Sequence, residues 1–550
     1  MQWKKWTSVA LTATLSASML AACGGGNNGS GSNGGASGNE QGGASSEAPA
    51  NLNKTGMPIV NEPINMTFFT GKSGTNGNNF EETHVWKTYQ EMSNINVTFD
   101  LVPFENLTEK RNLTLASGEY PDGFYSSRLT SADIAKYGAQ GVFLELDDLI
   151  DEYAPNFKAL MEKYPMLRKG LTMPDGHIYS FPSFYDPNFP SMLIGTPLWV
   201  NKDWLDQLGM EEPTTIEEFY NYLVAVKETD LNGNGLNDEI PYSGTGIGGL
   251  IDQLKGAWGL GNRGLAHKYV DIDPETNEPR FFRITPEYKE VLEFVHKLYS
   301  EGLLDEEIFT IKSSALYVKG QEGLLGSTIV PNPKTLMNQE NFIGLGALEG
   351  PHGDKLYSHV KAPLVHVGAF VLTHKNEHPE AAIRWMDHFF GEEGALFYFM
   401  GEEGVTYTKN EDGTLEFTEE ITNNPNGLTQ DQALAKYVTW LGGSYPGYVQ
   451  EHYFKGSESL PESIAAGEKA KPHMIEEIWN GFNYTEEETD FMSSVGKDIQ
   501  DYVTEMEAKF VNGSASFAEW DSYISNIERM GLDRYMDVYT TAYERYNQAE

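Results

Sequence analysis

The stretch Asp230-Leu-Asn232-Gly-Asn234-Gly235-Leu236-Asn-Asp238-Glu239 sets oxygen-bearing side chains at positions 1, 3, 5 and 9 of a loop whose sixth residue is glycine. Hard divalent cations collect roughly six to eight oxygens from such tightly curled loops, with position 7 offering a backbone carbonyl, here that of Leu236. The spacing suits calcium. The pattern departs from the EF-hand consensus, because position 12 is Pro241 instead of Glu and the nearest acid is Glu239 at position 10. An Asn/Gly turn without metal is the competing reading. A cation held there is expected to be structural, since no open coordination position can be read from the sequence.

Bond-making chemistry finds less support. The chain has no His-Glu-x-x-His helix and no Gly-x-Ser-x-Gly elbow, and its one cysteine has no partner histidine. Thr70-Gly71-Lys72-Ser73 is similar to the end of a phosphate-binding loop, but Met66 stands where that loop needs its first glycine. His374 and His378 lie at helical spacing and read as surface and capping residues. The 80 acidic residues make a facing carboxylate pair inevitable in any cleft, so their abundance says nothing for glycoside hydrolysis.

Cys23 has a different chemistry open to it. Lys4 and Lys5 precede an apolar, small-residue run from Val9 to Ala22 that ends Leu20-Ala21-Ala22-Cys23. The run is too short and too rich in Ser and Thr to span a bilayer stably, and it reads as a signal peptide over residues 1–22. Cys23 falls where the lipobox of bacterial lipoproteins places its lipidated residue. A lipid there, palmitate included, would hold the protein extracytoplasmically on the outer face of the cell membrane. It would also use up the single thiol, leaving none for a disulfide or a thiolate metal site. Residues 23–58, rich in Gly, Ser and Asn, have too little to bury and are expected to form a flexible tether.

The elements that must position these residues begin at Ile59. The body is rich in Trp, Tyr, Phe and Leu and too long for one ordinary domain, so two lobes are expected. Acids outnumber bases 80 to 39, a formal charge of -41, which argues against nucleic acid and favours a soluble monomer. No run of 18 apolar residues follows the signal segment, so the membrane is reached through the anchor alone. Strands at Ile64 to Phe69 and Ile95 to Val102 flank an amphipathic helix at Phe80 to Met92, a βαβ unit with ligand sites expected at its carboxyl ends. A helix around Leu107 to Ala116 and a strand entering Phe124-Tyr125 continue the α/β pattern. Pro213-Thr214-Thr215 before Glu217 and Glu218 is a helix start with a hydroxyl cap, and His378-Pro379-Glu380 is another.

Several blocks, in order, resemble family 1 extracellular solute-binding proteins of bacterial ABC importers. They include Leu115-Ala-Ser-Gly-Glu-Tyr-Pro-Asp122, Gly138-Ala-Gln-Gly-Val-Phe-Leu-Glu-Leu-Asp-Asp-Leu-Ile150 and Leu198-Trp-Val-Asn-Lys-Asp-Trp-Leu-Asp-Gln-Leu-Gly209. Tyr288 to Leu304, Leu348-Glu-Gly-Pro-His-Gly353 and His378 to Phe390 with Glu393-Gly394 continue the match. Tyr484-Thr-Glu-Glu-Glu488, Trp520-Asp521 and Ala542-Tyr-Glu-Arg-Tyr546 are similar to the lipoprotein subfamily that includes alginate-oligosaccharide binders. The resemblance implies an α/β, two-lobed periplasmic-binding-protein-like fold with a hinge and an interlobe cleft. It places residues 59–190 and 360–405 in an N-terminal lobe and 191–359 and 406–550 in a C-terminal lobe. It further implies a non-catalytic receptor delivering a carbohydrate, expected to be an oligosaccharide, to ABC permease subunits. A secreted glycan-active enzyme, or a receptor for a peptide or other non-sugar solute, are the alternatives. The resemblance also assigns calcium ligation to Asp230, Asn232, Asn234, Leu236, Asp238 and Glu239.

Sugars are held by aromatic faces and by polar side chains that take the hydroxyls. Placement in loops after strands nominates Asn79, Phe80, Asp122, Tyr125, Tyr185, Asp186, Trp258, Trp440, Tyr445 and Tyr448 as cleft residues. Arg128, just beyond Tyr125, is the candidate partner for an acidic ligand.

Overall fold

A computed structural model describes residues 49–549 except Asn78. The signal segment and Cys23 lie outside the described residues. Strand Ile64–Lys72 alternates buried and exposed residues at its start and is wholly buried at its carboxyl end. It pairs in parallel with Ile95–Pro103, Ile64 opposite Ile95 and Lys72 opposite Pro103. The crossover helix His84–Ser93 buries Val85, Trp86 and Tyr89, and stops where Asn94 takes a left-handed conformation at φ 59°. The expected βαβ opening is therefore present, although Phe80 lies before the helix.

These strands belong to a six-stranded mixed sheet. Its order is Gly447–Val449, Ser180–Tyr185, Leu364–Leu372, Gly123–Leu129, Ile64–Lys72 and Ile95–Pro103. Leu364–Leu372 runs antiparallel to both its neighbours, whereas Gly447–Val449 runs parallel to Ser180–Tyr185. Its main core gathers Phe68, Trp86, Tyr89, Phe370 and Trp385, with Trp86 and Trp385 stacked at 5.3 Å.

A second, four-stranded sheet runs Phe342–Gly344, Leu198–Asn201, Leu325–Ile329 and Ile240–Ser243. Its core includes Trp204, Tyr222, Phe282 and Tyr288 and is completed by the late helices Lys497–Asn512, Trp520–Met530 and Leu532–Gln548. Helix Ile216–Glu228 begins with the expected cap. The Thr215 hydroxyl accepts the Glu218 amide at 3.1 Å while the Glu218 carboxylate accepts the Thr215 amide at 3.2 Å. Helix Pro379–Asp387 likewise starts with proline at its first position.

The chain passes between the sheets three times. It leaves the first after Tyr185, returns at Leu364, and leaves again after Val449. The third passage ends in helix Pro461–Ala470, whose Gly467 lies so close to helix Pro190–Ile194 that a Cβ would meet the Ser191 nitrogen at 2.6 Å.

Two expected boundaries are corrected. Residues 406–454, expected in the second lobe, pack in the first. Gly447–Val449 is an edge strand of the six-stranded sheet, and Tyr407, Trp440 and Tyr453 lie in its core. The tether expected to reach residue 58 gives way earlier to folded chain. Leu52 bridges Val60, Lys54 pairs with Glu152 at 2.7 Å, and Arg384 donates to the Gly56 carbonyl at 2.9 Å. A polar composition alone does not mean disorder, because these polar groups are satisfied by the body.

Candidate functional site

A groove of about 1570 Å³ opens beside the carboxyl end of strand Ser180–Tyr185. Tyr185, Trp440 and Tyr445 supply aromatic walls, and Leu415 and Phe417 of the short hairpin after Tyr407 supply another side. Thr335, from the helix Pro333–Met337 that follows a strand of the second sheet, closes it from the other lobe, and residues 456–460 of the third passage form part of its rim.

Trp440 and Tyr445 are each held by specific partners. Trp440 is only 8% exposed, and its indole nitrogen donates to the Phe399 carbonyl at 3.0 Å. Its ring tilts against Phe454 at 5.3 Å and meets Tyr445 edge-on at 6.1 Å. The segment carrying Trp440 is tied to the end of the first strand by Asn76. That amide donates to the carbonyls of Thr439 at 3.1 Å and Leu441 at 3.0 Å. Gly442 follows at φ 86°, against Ser73, where a Cβ would meet the Ser73 Cβ at 2.4 Å. Burial pushes the Tyr185 phenol up to about 12, with Glu458 adding to the effect, so it faces the groove as a neutral hydroxyl.

Asp186 sits at the head of the same strand end. It accepts from the Tyr448 hydroxyl at 2.5 Å, the Tyr164 hydroxyl at 3.1 Å and the Asn188 amide at 2.8 Å. Burial and this carboxylate drive the Tyr448 phenol far above its usual range. Tyr448 itself stacks on Phe184 at 5.7 Å. Asp186 thus opens onto a smaller neighbouring recess, with Asn188 and His452, that shares Asp412, Thr414, Leu415 and Lys455 with the groove.

Other expected cleft residues lie elsewhere. Phe80, 1% exposed, is packed against Phe99, and Tyr125, 1% exposed, shares a 2.5 Å hydroxyl contact with Tyr398 inside the core. Trp258, 4% exposed, belongs to the second core and donates to Glu290 at 3.1 Å. Asp122 precedes its strand, at the amino end, and accepts the Thr67 amide at 2.7 Å. Asn79 is exposed and does not line the groove. Arg128 holds the turn behind Tyr445, donating to the Ser444 hydroxyl at 2.8 Å while its guanidinium covers the Phe104 ring at 3.8 Å.

The sequence reading missed Asn76, Glu416, Asp431, Lys455 and Glu458. The turn signal Gly442-Gly443 close to three aromatics marked the neighbourhood, but polar residues in a loop carry no mark of the side they face.

The crossings contain buried titratable groups. His359 joins the second passage to the first, its Nε2 lying 2.9 Å from the Thr196 hydroxyl, and burial pushes its imidazole down to about 4. Nearby, burial opposes ionisation of Asp252, yet Lys255 at 2.7 Å and Arg283 at 3.6 Å outweigh it and hold the carboxyl down at about 2.

The 230–239 loop curls as its spacing requires. Asp230 accepts the amides of Asn234 at 3.1 Å and Gly235 at 2.9 Å, and Glu239 Oε1 accepts those of Leu231 at 2.7 Å and Asn232 at 3.0 Å. Glu239 Oε2 is buried without a protein partner, as a cation-ligating oxygen would be. The amide nitrogens of Asn232 and Asn234 point at Asp238 at 2.9 Å and 3.0 Å; flipping both would present oxygens instead. Among the described residues no group of three or more His, Cys, Asp or Glu side chains converges as a metal site. The loop carries oxygen donors of the kind calcium takes, although its three acids, Asp230, Asp238 and Glu239, do not converge on one point here.

The chain matches the bacterial extracellular solute-binding protein family over residues 74–396. The fructooligosaccharide ABC transporter substrate-binding protein FusA of Streptococcus pneumoniae serotype 4 is 26% identical over 560 residues, covering 99% of both chains. A solved structure of an EF-hand mutant of FusA with fructo-nystose superposes with a TM-score of 0.70 at 24% identity, covering 88% of this chain and 100% of that one. The structure of the alginate-binding protein AlgQ2 without calcium ion does so at 0.67 and 22% identity, covering 90% and 99%. Among the described residues no helix is long and apolar enough to cross a membrane. With two sheets, three interlobe passages and a groove between the lobes, and with that match across more than half its length, the chain belongs to the bacterial extracellular solute-binding protein family.

Proposed function

We propose that this protein is a monomeric, lipid-anchored receptor that captures an oligosaccharide in the interlobe groove and delivers it to an ABC permease without bond chemistry. The observation that carries the reading is the groove itself. It sets the half-buried Tyr185, backed by the largely buried Trp440 and Tyr445, against carboxylates, a combination that meets sugar C–H faces and accepts sugar hydroxyls. Kinship with a fructooligosaccharide-binding relative supports the ligand class. The lipid on Cys23 rests on the lipobox alone. Calcium, held by the 230–239 loop, would stabilise the second lobe next to strand Ile240–Ser243, remote from the ligand.

The test is a thermal-shift and fluorescence screen of purified protein against defined oligosaccharides. A bound sugar raises the melting temperature by mass action and alters Trp emission, with no product formed. Turnover of a glycan would move the protein to the enzyme class. Stabilisation by peptides but by no sugar would assign the groove to another solute.

A further inference from the structure

The described groove lining carries four carboxylates, Asp412, Glu416, Asp431 and Glu458, against one cation, Lys455. None of the four forms a salt bridge among the described residues. Asp412 is met only by Thr414, its hydroxyl at 2.7 Å, and Glu458 by the Ser457 hydroxyl at 3.0 Å. Lys455 is half-buried with Glu416 and Glu451 as its charged neighbours, so its charge is already shared. The two other cations close by are committed as well. Lys361 is tucked under Gly195 with Glu458 as its counter-charge, and Arg128 is bound to Ser444 and Phe104.

An ionised carboxylate only accepts hydrogen bonds, so a ligand must bring donors to these walls. Sugar hydroxyls do. The carboxylate of a uronic acid does not, and it meets a wall of mostly exposed carboxylates of its own sign. Kinship leaves this open, since the names of similar proteins include both a neutral fructan and the polyuronate alginate.

We propose that the groove selects uncharged, hydroxyl-rich oligosaccharides and excludes uronate-bearing ones, with Glu416 and Asp431 as specificity-determining residues. This rests on the oligosaccharide reading of the groove.

The experiment is calorimetric titration of the whole folded protein with matched sets of tri- to pentasaccharides. One set is neutral (fructans such as kestose, glucans, mannans, xylans) and the other consists of oligogalacturonates and oligoguluronates of equal length. A neutral sugar is expected to bind, with uronates weaker by up to about fivefold for each like charge they bring. Added salt narrows that gap by improving the uronate. The double variant Glu416→Gln, Asp431→Asn raises uronate affinity by about tenfold, whereas a merely structural role for these residues would weaken both sets together. Uronates binding as tightly as neutral sugars overturns the proposal while sparing the oligosaccharide reading. Binding by neither set, with circular dichroism unchanged, overturns both.

Discussion

Acidification should destabilise this protein well before its surface carboxylates titrate, and His359 is the group through which to show it. The imidazole is 7% exposed, bonded through Nε2 to Thr196, and burial lowers it from 6.5 to about 4. An unfolded chain takes up a proton on this residue near pH 6.5, while the folded protein refuses it until about pH 4. Its contribution to stability is therefore complete above pH 6.5 and is lost as pH falls through 4. A shift of this size corresponds to about 3 kcal/mol. His267, bonded to the Asn480 carbonyl at 2.7 Å and also lowered to about 4 by burial, adds a similar loss. Asp387 acts in the opposite direction. It caps the helix Pro155–Lys163 by accepting the Phe157 amide at 2.8 Å, and burial raises its carboxyl to about 6. Its favourable contribution is present below pH 3.8 and disappears as pH rises through 6, offsetting roughly one histidine on acidification. The loss from these three groups between pH 6.5 and 4 is on the order of 3 kcal/mol, or about 3 °C in melting temperature if some 500 residues unfold together. Thermal melts at half-unit pH steps measure it. His359→Asn keeps a partner for Thr196 but cannot titrate, so it should flatten the acid limb, and Asp387→Asn should steepen it. An acid limb of unchanged slope in His359→Asn would refute the reasoning.

Chelation should lower the melting temperature and added calcium restore it, by about 2.7 kcal/mol when the ion is a hundredfold above its dissociation constant; Glu239→Gln should abolish the response, and indifference to chelator would leave a metal-free turn. Tyr185→Ala, at a half-buried position on the groove wall, should weaken sugar binding about tenfold with little change in melting temperature, as read by calorimetry. Thr215→Ala removes a helix cap distant from the groove and should cost about 1 kcal/mol in urea titration while leaving ligand affinity unchanged.

Local rules made much of the framework legible. Ile64 and Ile95 open strands because apolar residues alternate there, and Thr215 with Glu218 opens a helix because each group satisfies the other's backbone amide. The same rules failed for individual aromatics, and for one physical reason. The expected strand does enter at Phe124-Tyr125, but it runs Gly123–Leu129, so the Tyr125 ring lies within the strand and faces the core instead of a cleft. Phe80 does lie in a loop, yet one short enough that its ring still reaches Phe99. Trp258 follows glycines that lie in a helix, Ile247–Leu254, and not in an open turn. Loop position says where the backbone is satisfied; it does not say which way a large apolar ring turns, and burial of such a ring outweighs exposure unless a ligand or polar handle compensates.

The misplaced boundary at residue 406 has a functional consequence. The loop after the first strand, with Asn79, does not line the groove. This chain instead returns to the first sheet at Leu364 and stays through Val449 before crossing again. The returning segment contributes the 412–417 hairpin, Asp431, Trp440 and Tyr445 to one wall, and its exit, residues 455–460, to the rim. One contiguous stretch thus supplies two of the three wall aromatics, Trp440 and Tyr445, and all four carboxylates, while Tyr185 comes from strand Ser180–Tyr185. The framework strands carry none of those acids. On the proposed reading of the groove, ligand selectivity can therefore change through substitutions in 412–431 and 455–460 while the two sheets and their hinge contacts, such as His359 to Thr196, remain as they are.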